Sequence, residues 1–223
     1  MQHDEDDKDD KPDEEVIFAP CETGGCLSCA LEIDVELMPS CTTPLKEGMV
    51  INTRKDNPPK RLVQGFNGHG VGGVGTPWQI KEIFGFVEVA CFTSGCNFRC
   101  PKCQNWVTTY RKRGTSRTPR SAAEALTEAR ERFSVDRMAI SGGESTLNRE
   151  WLTSFVGELK RLNRDEHARI HVDTNGSILT CDYIDDLIEA GTTDIGIDLK
   201  SLDITTFIKI TGVEDKVLAM KYQ

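Results

Sequence analysis

Three cysteines in "CNFRCPKC", at Cys96, Cys100 and Cys103, share one short loop with the spacing C-x3-C-x2-C. Thiolates suit zinc or iron-sulfur clusters. A closed structural zinc site takes four ligands, yet no further Cys or His follows within the next few residues, and Cys91 falls inside an apolar run that reads as a strand. Three thiolates instead suit a cubane cluster whose fourth iron stays open to a small molecule, so the spacing favours cluster over zinc.

A second group, Cys21, Cys26, Cys29 and Cys41, lies nearer the amino terminus. Its C-x4-C-x2-C start is the spacing of plant-type 2Fe-2S ferredoxins, with Cys41 twelve positions later. The stretch "CLSCALEIDVELMPSCTTPLKEGMVINT" also resembles the ferredoxin-like segment of the large iron-sulfur subunit of NADH-quinone oxidoreductase. Two readings stand side by side: a second cluster that relays electrons to the first, or a four-thiolate zinc site that staples a small module unable to bury enough core by itself. A degenerate remnant is the third. Cys91 and Cys181 read as buried apolar residues.

Nine cysteines are many for a chain whose first fifteen residues contain no apolar signal segment. In a reducing cytoplasm they do not pair as structural disulfides, which makes metal or cluster ligation the default. The 223 residues are 38% hydrophobic and 28% charged, an ordinary globular balance. No apolar run approaches the roughly 20 residues that span a bilayer. Residues 1–15 carry nine Asp/Glu against Lys8 and Lys11, a charge of -7 out of the chain's -9, which leaves -2 for the rest. Such a run has too little apolar surface to offset the entropy of ordering and reads as a disordered tail. A near-neutral body gives no basic surface for nucleic acid.

The elements that must position the cysteines follow from pattern. Residues 16–57 form a Cys-rich module in which "ALEIDVELM" alternates like one strand. Residues 58–82, with a Pro pair and six glycines in the eleven residues of "GFNGHGVGGVG", read as a linker. From 83 to 223, strands and helices alternate. "FGFVEVACFT" leads into the three-cysteine loop. The helix "SAAEALTEARERF" follows, with Ser121 and Glu124 as a capping box. Then come "RMAIS", the helix "NREWLTSFVGELKRL", the strand "ARIHVDT", the helix "CDYIDDLIEAG" stopped by Gly191, the strand "DIGIDLK" and two helical stretches. Alternation of this kind predicts an α/β fold with a parallel sheet, whose ligands collect at the carboxyl ends of the strands. Those ends are the cysteine loop, "SGGES", "DTNG" and "DLK".

Taken in that order and strand context, "GCNFRCPKCQNW", "SGGES", "DTNG" and "DLK" resemble the radical S-adenosylmethionine (radical SAM) superfamily, most of all pyruvate formate-lyase activating enzymes, over residues 85–223. The resemblance implies a partial (βα) barrel and a 4Fe-4S cluster on Cys96, Cys100 and Cys103 whose open iron binds SAM. It also implies reductive cleavage of SAM and hydrogen abstraction from a substrate, such as a protein that receives a glycyl radical. Gly142, Gly143 and Glu144 are then expected at the methionine amino group, and Asp173, Asn175 and Lys200 at the ribose or carboxylate. An electron donor such as a ferredoxin or flavodoxin is implied. Only four strand-helix units are counted, fewer than the family's barrel carries, so a truncated chain or a missing carboxyl-terminal half is expected. The contrasting reading is a non-enzymatic iron-sulfur or zinc protein.

Overall fold

A computed structural model of the chain describes residues 17–53, 57–70, 85–111 and 113–223. The acidic tail at 1–15 and the glycine-dense 71–84 lie outside the described residues. The main sheet has six strands in the order β6-β4-β5-β7-β8-β9: β4 (Arg61–Gly70), β5 (Phe86–Thr93), β6 (Thr115–Arg117), β7 (Arg137–Gly142), β8 (Arg169–Thr174) and β9 (Asp194–Ile197). From β5 through β9 the neighbours are parallel, while β4 pairs antiparallel with both β5 and β6. The strand-helix alternation therefore reports the parallel part correctly. Residues 61–70, expected within a linker, are instead β4.

One face of this sheet is apolar and covered by α2 (Pro119–Phe133), α3 (Arg149–Leu162) and α4 (Cys181–Ala190). Val89, Cys91, Met138, Ile140, Ile170 and Val172 alternate inward from β5, β7 and β8 to meet them. Trp151, Leu152, Phe155, Val156 and Leu159, the stripe expected on α3, are all fully buried. Each such burial stabilises by roughly 1.5–3 kcal/mol, so this one helix face anchors the layer. The start of α2 differs from expectation: Thr118 is the N-cap and accepts from the Ser121 amide at 3.3 Å. Pro119 fits the first helical position, where no N–H is needed, and Glu124 pairs with Arg120 at 3.0 Å instead of closing a box. Gly191 ends α4 with φ +117° as expected. Cys181, expected buried, is exposed at the start of α4.

The amino-terminal segment forms a three-stranded antiparallel sheet, β2-β1-β3, from β1 (Ala30–Ile33), β2 (Glu36–Pro39) and β3 (Ile51–Asn52). The stretch expected as one strand thus folds back on itself. Asp34 and Val35 both take positive φ, +48° and +67°, the signature of a tight two-residue hairpin turn. Two short helices, α5 (Ile204–Thr211) and α6 (Lys216–Tyr222), close the described fold. Phe207 of α5, Val213 between the two helices and Ala219 of α6 pack around Phe98 from the cysteine loop. Helix α1 (Trp106–Tyr110) follows that loop directly.

Candidate active site

Strand register sets the site. Thr93 pairs with Gly142, Ile140 with Val172, and Thr174 with Ile197. The carboxyl ends of β5, β7, β8 and β9 therefore lie level along one edge, and the residues that follow each end meet there.

Contacts at that edge are close. The amides of Gly143 and Glu144 donate to the Thr93 and Gly95 carbonyls, both at 2.8 Å. A Cβ on Gly143 would lie 2.2 Å from the Gly95 oxygen, and one on Gly142, whose φ is +104°, 2.6 Å from the Thr93 oxygen. Two glycines are needed here so that the "SGGES" turn can lie flat against the chain entering the cysteine loop.

Glu144 is only 2% exposed. Its carboxylate accepts from the Thr146 amide at 3.1 Å, the Thr146 hydroxyl at 2.6 Å, the Thr174 hydroxyl at 2.6 Å and the Asn175 amide at 2.6 Å. Three of these donors converge on Oε1, while Oε2 accepts from the Asn175 amide alone among the described residues and keeps acceptor capacity. Glu144 both caps the short 3-10 turn Ser145–Leu147 and ties the end of β7 to the end of β8. Asn175 continues the tie: its side-chain Nδ2 donates to Asn97 Oδ1 at 3.0 Å and lies 3.8 Å from the Cys96 sulfur.

Cys96, Cys100 and Cys103 are each partly exposed on a loop pinned from both sides. The Arg99 amide donates to the Thr211 carbonyl of α5 at 2.7 Å, and the Tyr110 hydroxyl donates to the Phe98 carbonyl at 2.8 Å. Burial, reinforced by the nearby Glu144 charge and the other two thiols, pushes the Cys96 thiol up to about 12. Burial also raises Cys100, against the pull of Lys200. Burial and the charges of the same three thiols raise the Tyr110 hydroxyl. The three thiols thus share one electrostatic neighbourhood, and a cationic cluster core is what would relieve it.

Lys200 pairs with Asp198 and is half-buried. Burial disfavours its charge, but the Asp198 carboxylate and the Cys100 and Cys96 thiols outweigh that and hold it protonated above its ordinary range. Asp173 is set differently: its carboxylate receives His171 Nε2 at 2.8 Å, while its main-chain oxygen accepts from the Ser145 hydroxyl. His171 Nδ1 meets Asp194 at 2.6 Å, Arg137 bridges Asp194 at 3.0 Å and Glu88 at 2.8 Å, and Glu88 meets His69 at 2.6 Å. This polar chain runs across the sheet face opposite α2 and α3, and strand alternation over two-residue steps could have revealed it.

Sequence reading also missed Arg61, at the start of β4. It is fully buried, and its guanidinium donates to the carbonyls of Ser94 at 3.1 Å, Glu144 at 2.5 Å and Ser145 at 2.8 Å. One side chain therefore clamps the cysteine loop to the "SGGES" turn. Lys102, within the loop, is exposed.

Cys21, Cys26 and Cys29 are buried directly behind the same loop. A Cβ on Gly25 would lie 2.6 Å from the Gly95 nitrogen, Arg99 donates to the Cys21 carbonyl at 2.7 Å, and Asn148, the N-cap of α3, donates to the Cys26 carbonyl at 3.0 Å. Among the described residues, no three His, Cys, Asp or Glu side chains converge as a single metal ion requires. A cavity of about 470 Å3 between β1, β2 and the start of α3 is lined by none of the expected ligands and is a separate feature.

Known proteins share part of this sequence. A protein of Methanocaldococcus jannaschii provisionally named a glycyl-radical enzyme activating enzyme is 28% identical over 130 residues, 58% of this chain and 46% of the relative. The chain thus spans about half the length of that relative. The family model of the radical SAM superfamily matches residues 91–217, from the middle of β5 into α6, and so takes in all four strand ends. On that match, which covers more than half of its length, the chain belongs to the radical SAM superfamily.

Proposed function

We propose that this chain is a radical SAM enzyme of the glycyl-radical activating type, with a 4Fe-4S cluster on Cys96, Cys100 and Cys103. The observation that carries the reading is the common level of four strand ends, which brings three thiols, a glycine turn, Asn175 and Lys200 to one edge. When bound, the cluster supplies one electron that cleaves SAM to methionine and a 5'-deoxyadenosyl radical able to take a hydrogen atom from a substrate.

The chain's own residues divide the remaining work. Cys96, Cys100 and Cys103 give up their thiol protons as they become ligands. Lys200, charged and beside the thiols, is placed to pair with a ligand carboxylate. The Gly142–Gly143 turn leaves backbone open to close approach by a ligand amine. Glu144 holds Asn175 against the cysteine loop, and its Oε2, which accepts from the Asn175 amide alone among the described residues, keeps capacity to accept from a ligand amine. Asp173 is oriented by His171. Activating enzymes act on a protein substrate, and the named relative supports that substrate class here. A one-electron donor such as a ferredoxin or flavodoxin, and a reducing cytoplasmic setting, complete the proposal.

Anaerobic reconstitution with iron and sulfide, followed by dithionite and SAM, is expected to yield 5'-deoxyadenosine. Cys96→Ala is expected to abolish both the cubane signal and the product. A fully loaded protein that leaves SAM intact would refute the enzymatic reading.

A further inference from the structure

Charge is distributed unevenly along this chain. The 35 residues from Val89 to Ala123 contain seven cations and no Asp or Glu, in a sequence whose net charge is -9. A near-neutral sum over the body conceals that segregation. The basic run takes in the three-cysteine loop, all of α1 and the first turn of α2.

Folding accounts for three of the seven. Arg99 is held by the carbonyls of Cys21 and Cys96, both at 2.7 Å, with Glu22 3.9 Å away. Arg117 lies over the Phe66 ring, and Arg120 pairs with Glu124. Lys112 lies outside the described residues. Lys102, Arg111 and Arg113 are different: all three are exposed, and among the described residues none of them has an ion-pair partner.

These cations share their surface with apolar groups. Trp106 and Val107 are 50% and 44% exposed, and the Arg111 guanidinium sits 4.8 Å from the centroid of the Trp106 ring. An exposed indole beneath an unpaired arginine joins the two residue types most enriched where proteins bind one another. Three cations spread over positions 102 to 113 with an indole between them fit a broad acidic surface better than one small anion.

The place of the patch narrows the partner. Lys102 immediately precedes Cys103, and the Trp106 amide donates to the Cys103 carbonyl at 3.3 Å. At the other end of α1 the Tyr110 hydroxyl returns to the Phe98 carbonyl at 2.8 Å, so the whole helix is tied to the cysteine loop. A protein seated here stands beside the three thiols, which suits one that must come near the group they hold without touching SAM.

We propose that Lys102, Trp106, Val107, Arg111 and Arg113 form the docking face for an acidic one-electron donor protein. That the partner is an electron donor rests on the radical SAM reading above, whereas an acidic partner follows from the face itself. At this face the donor is oxidised by one electron and the cluster on Cys96, Cys100 and Cys103 is reduced by it, with no bond made or broken. Complementary charge speeds such encounters, and a small contact area is usual for redox partners that must separate again.

The test uses the full chain and two probes, a flavodoxin carrying its flavin and a plant-type ferredoxin, both acidic. Fluorescence anisotropy of each labelled probe is expected to show binding to the natural chain that weakens as salt rises. Lys102→Glu, Arg111→Glu and Arg113→Glu combined are expected to weaken binding roughly tenfold or more. Arg120→Glu, Lys160→Glu and Arg164→Glu combined change the net charge equally on exposed positions of α2 and beyond, and are expected to weaken it far less. In the loaded chain, 5'-deoxyadenosine formation driven by the reduced probe is expected to fall in the first variant, while formation driven by dithionite is unchanged. Absence of 5'-deoxyadenosine even with dithionite would sink the SAM chemistry and leave the binding result standing. Equal weakening by the two triple variants, or no binding of either probe, would overturn the proposal. So would binding that appears only when residues 1–15 are removed, which would assign the face to the chain's own acidic run, or tighter binding of a single-stranded oligonucleotide at the same salt.

Discussion

The two cysteine groups use the same side chain in opposite settings. Cys21, Cys26 and Cys29 are walled in by the hairpin, the Cys96 loop and the start of α3, while Cys96, Cys100 and Cys103 are partly open at the strand ends beside Lys200 and Asn175. Enclosure suits a group that must be kept from solvent, and access suits one that must meet a small molecule. The difference lies in the surrounding elements rather than in the ligands. The closed group sits on an antiparallel hairpin, and the open one at the carboxyl edge of a parallel sheet, where the fold leaves room by construction.

The sharpest way to break this contrast is to remove what the two settings share. Arg61→Met deletes a buried guanidinium that holds three carbonyls from two loops and acts on Cys26. Each charge-assisted bond lost leaves a buried acceptor unpaired, so a destabilisation of roughly 3 kcal/mol or more is expected in urea titration of the apo chain. Arg61→Lys is expected to rescue little of it, because one ammonium lacks the planar fork that reaches three oxygens. A loss of stability under 1 kcal/mol would show that the clamp is not what joins the groups.

Gly95→Ala comes next. At φ +87° and with the Cys26 nitrogen 2.8 Å from its would-be Cβ, Gly95 is needed both for conformation and for room. About 2 kcal/mol of destabilisation is expected in urea titration of the apo chain. A loss under about 0.5 kcal/mol would mean that the two groups are independent bodies that happen to touch.

How much of this was legible in the sequence follows from the same residues. The four strand ends could be read because parallel strands alternate with helices and stop at polar or glycine residues, and α3 could be read from its apolar stripe. Arg61 could not, because Pro58 and Pro59 precede it and glycines crowd the run that follows, a composition that imitates a linker. Those glycines have a packing cause in at least one place: a Cβ on Gly68 would lie 2.5 Å from the Phe86 ring and 2.9 Å from that of Phe133. The Asp34-Val35 turn was hidden for a related reason. A β-branched residue rarely takes φ +67°, so nothing in "ALEIDVELM" announces a reversal. The ligand role expected of Glu144 rests on its place in a motif, and the long-range hydrogen bonds it also makes, from Thr174 and Asn175, 30 and 31 positions away, have no signal in the sequence.

The smallest expected effect concerns the open group alone. Lys200 favours the thiolate form of Cys100, opposing the burial that raises its pKa. Lys200→Met removes that attraction, so the pKa rises further and less thiolate is present at any given pH. In the apo chain, the pH profile of Cys100 alkylation by iodoacetamide is expected to move toward higher pH, while Cys26 labelling is unchanged. An unmoved Cys100 profile would place Lys200 outside the thiol neighbourhood and weaken its assignment to a ligand carboxylate.

One edge of the main sheet has a practical consequence. Among the described residues β9 is hydrogen-bonded on one side only, to β8, and Ile197 and Leu199, at 61% and 63% exposure, lie at and just beyond its end. A strand with a free row of amides and carbonyls beside exposed aliphatic side chains is a template for another strand. The row beside β9 is therefore where a further strand, from a neighbouring segment or another copy, would extend this sheet.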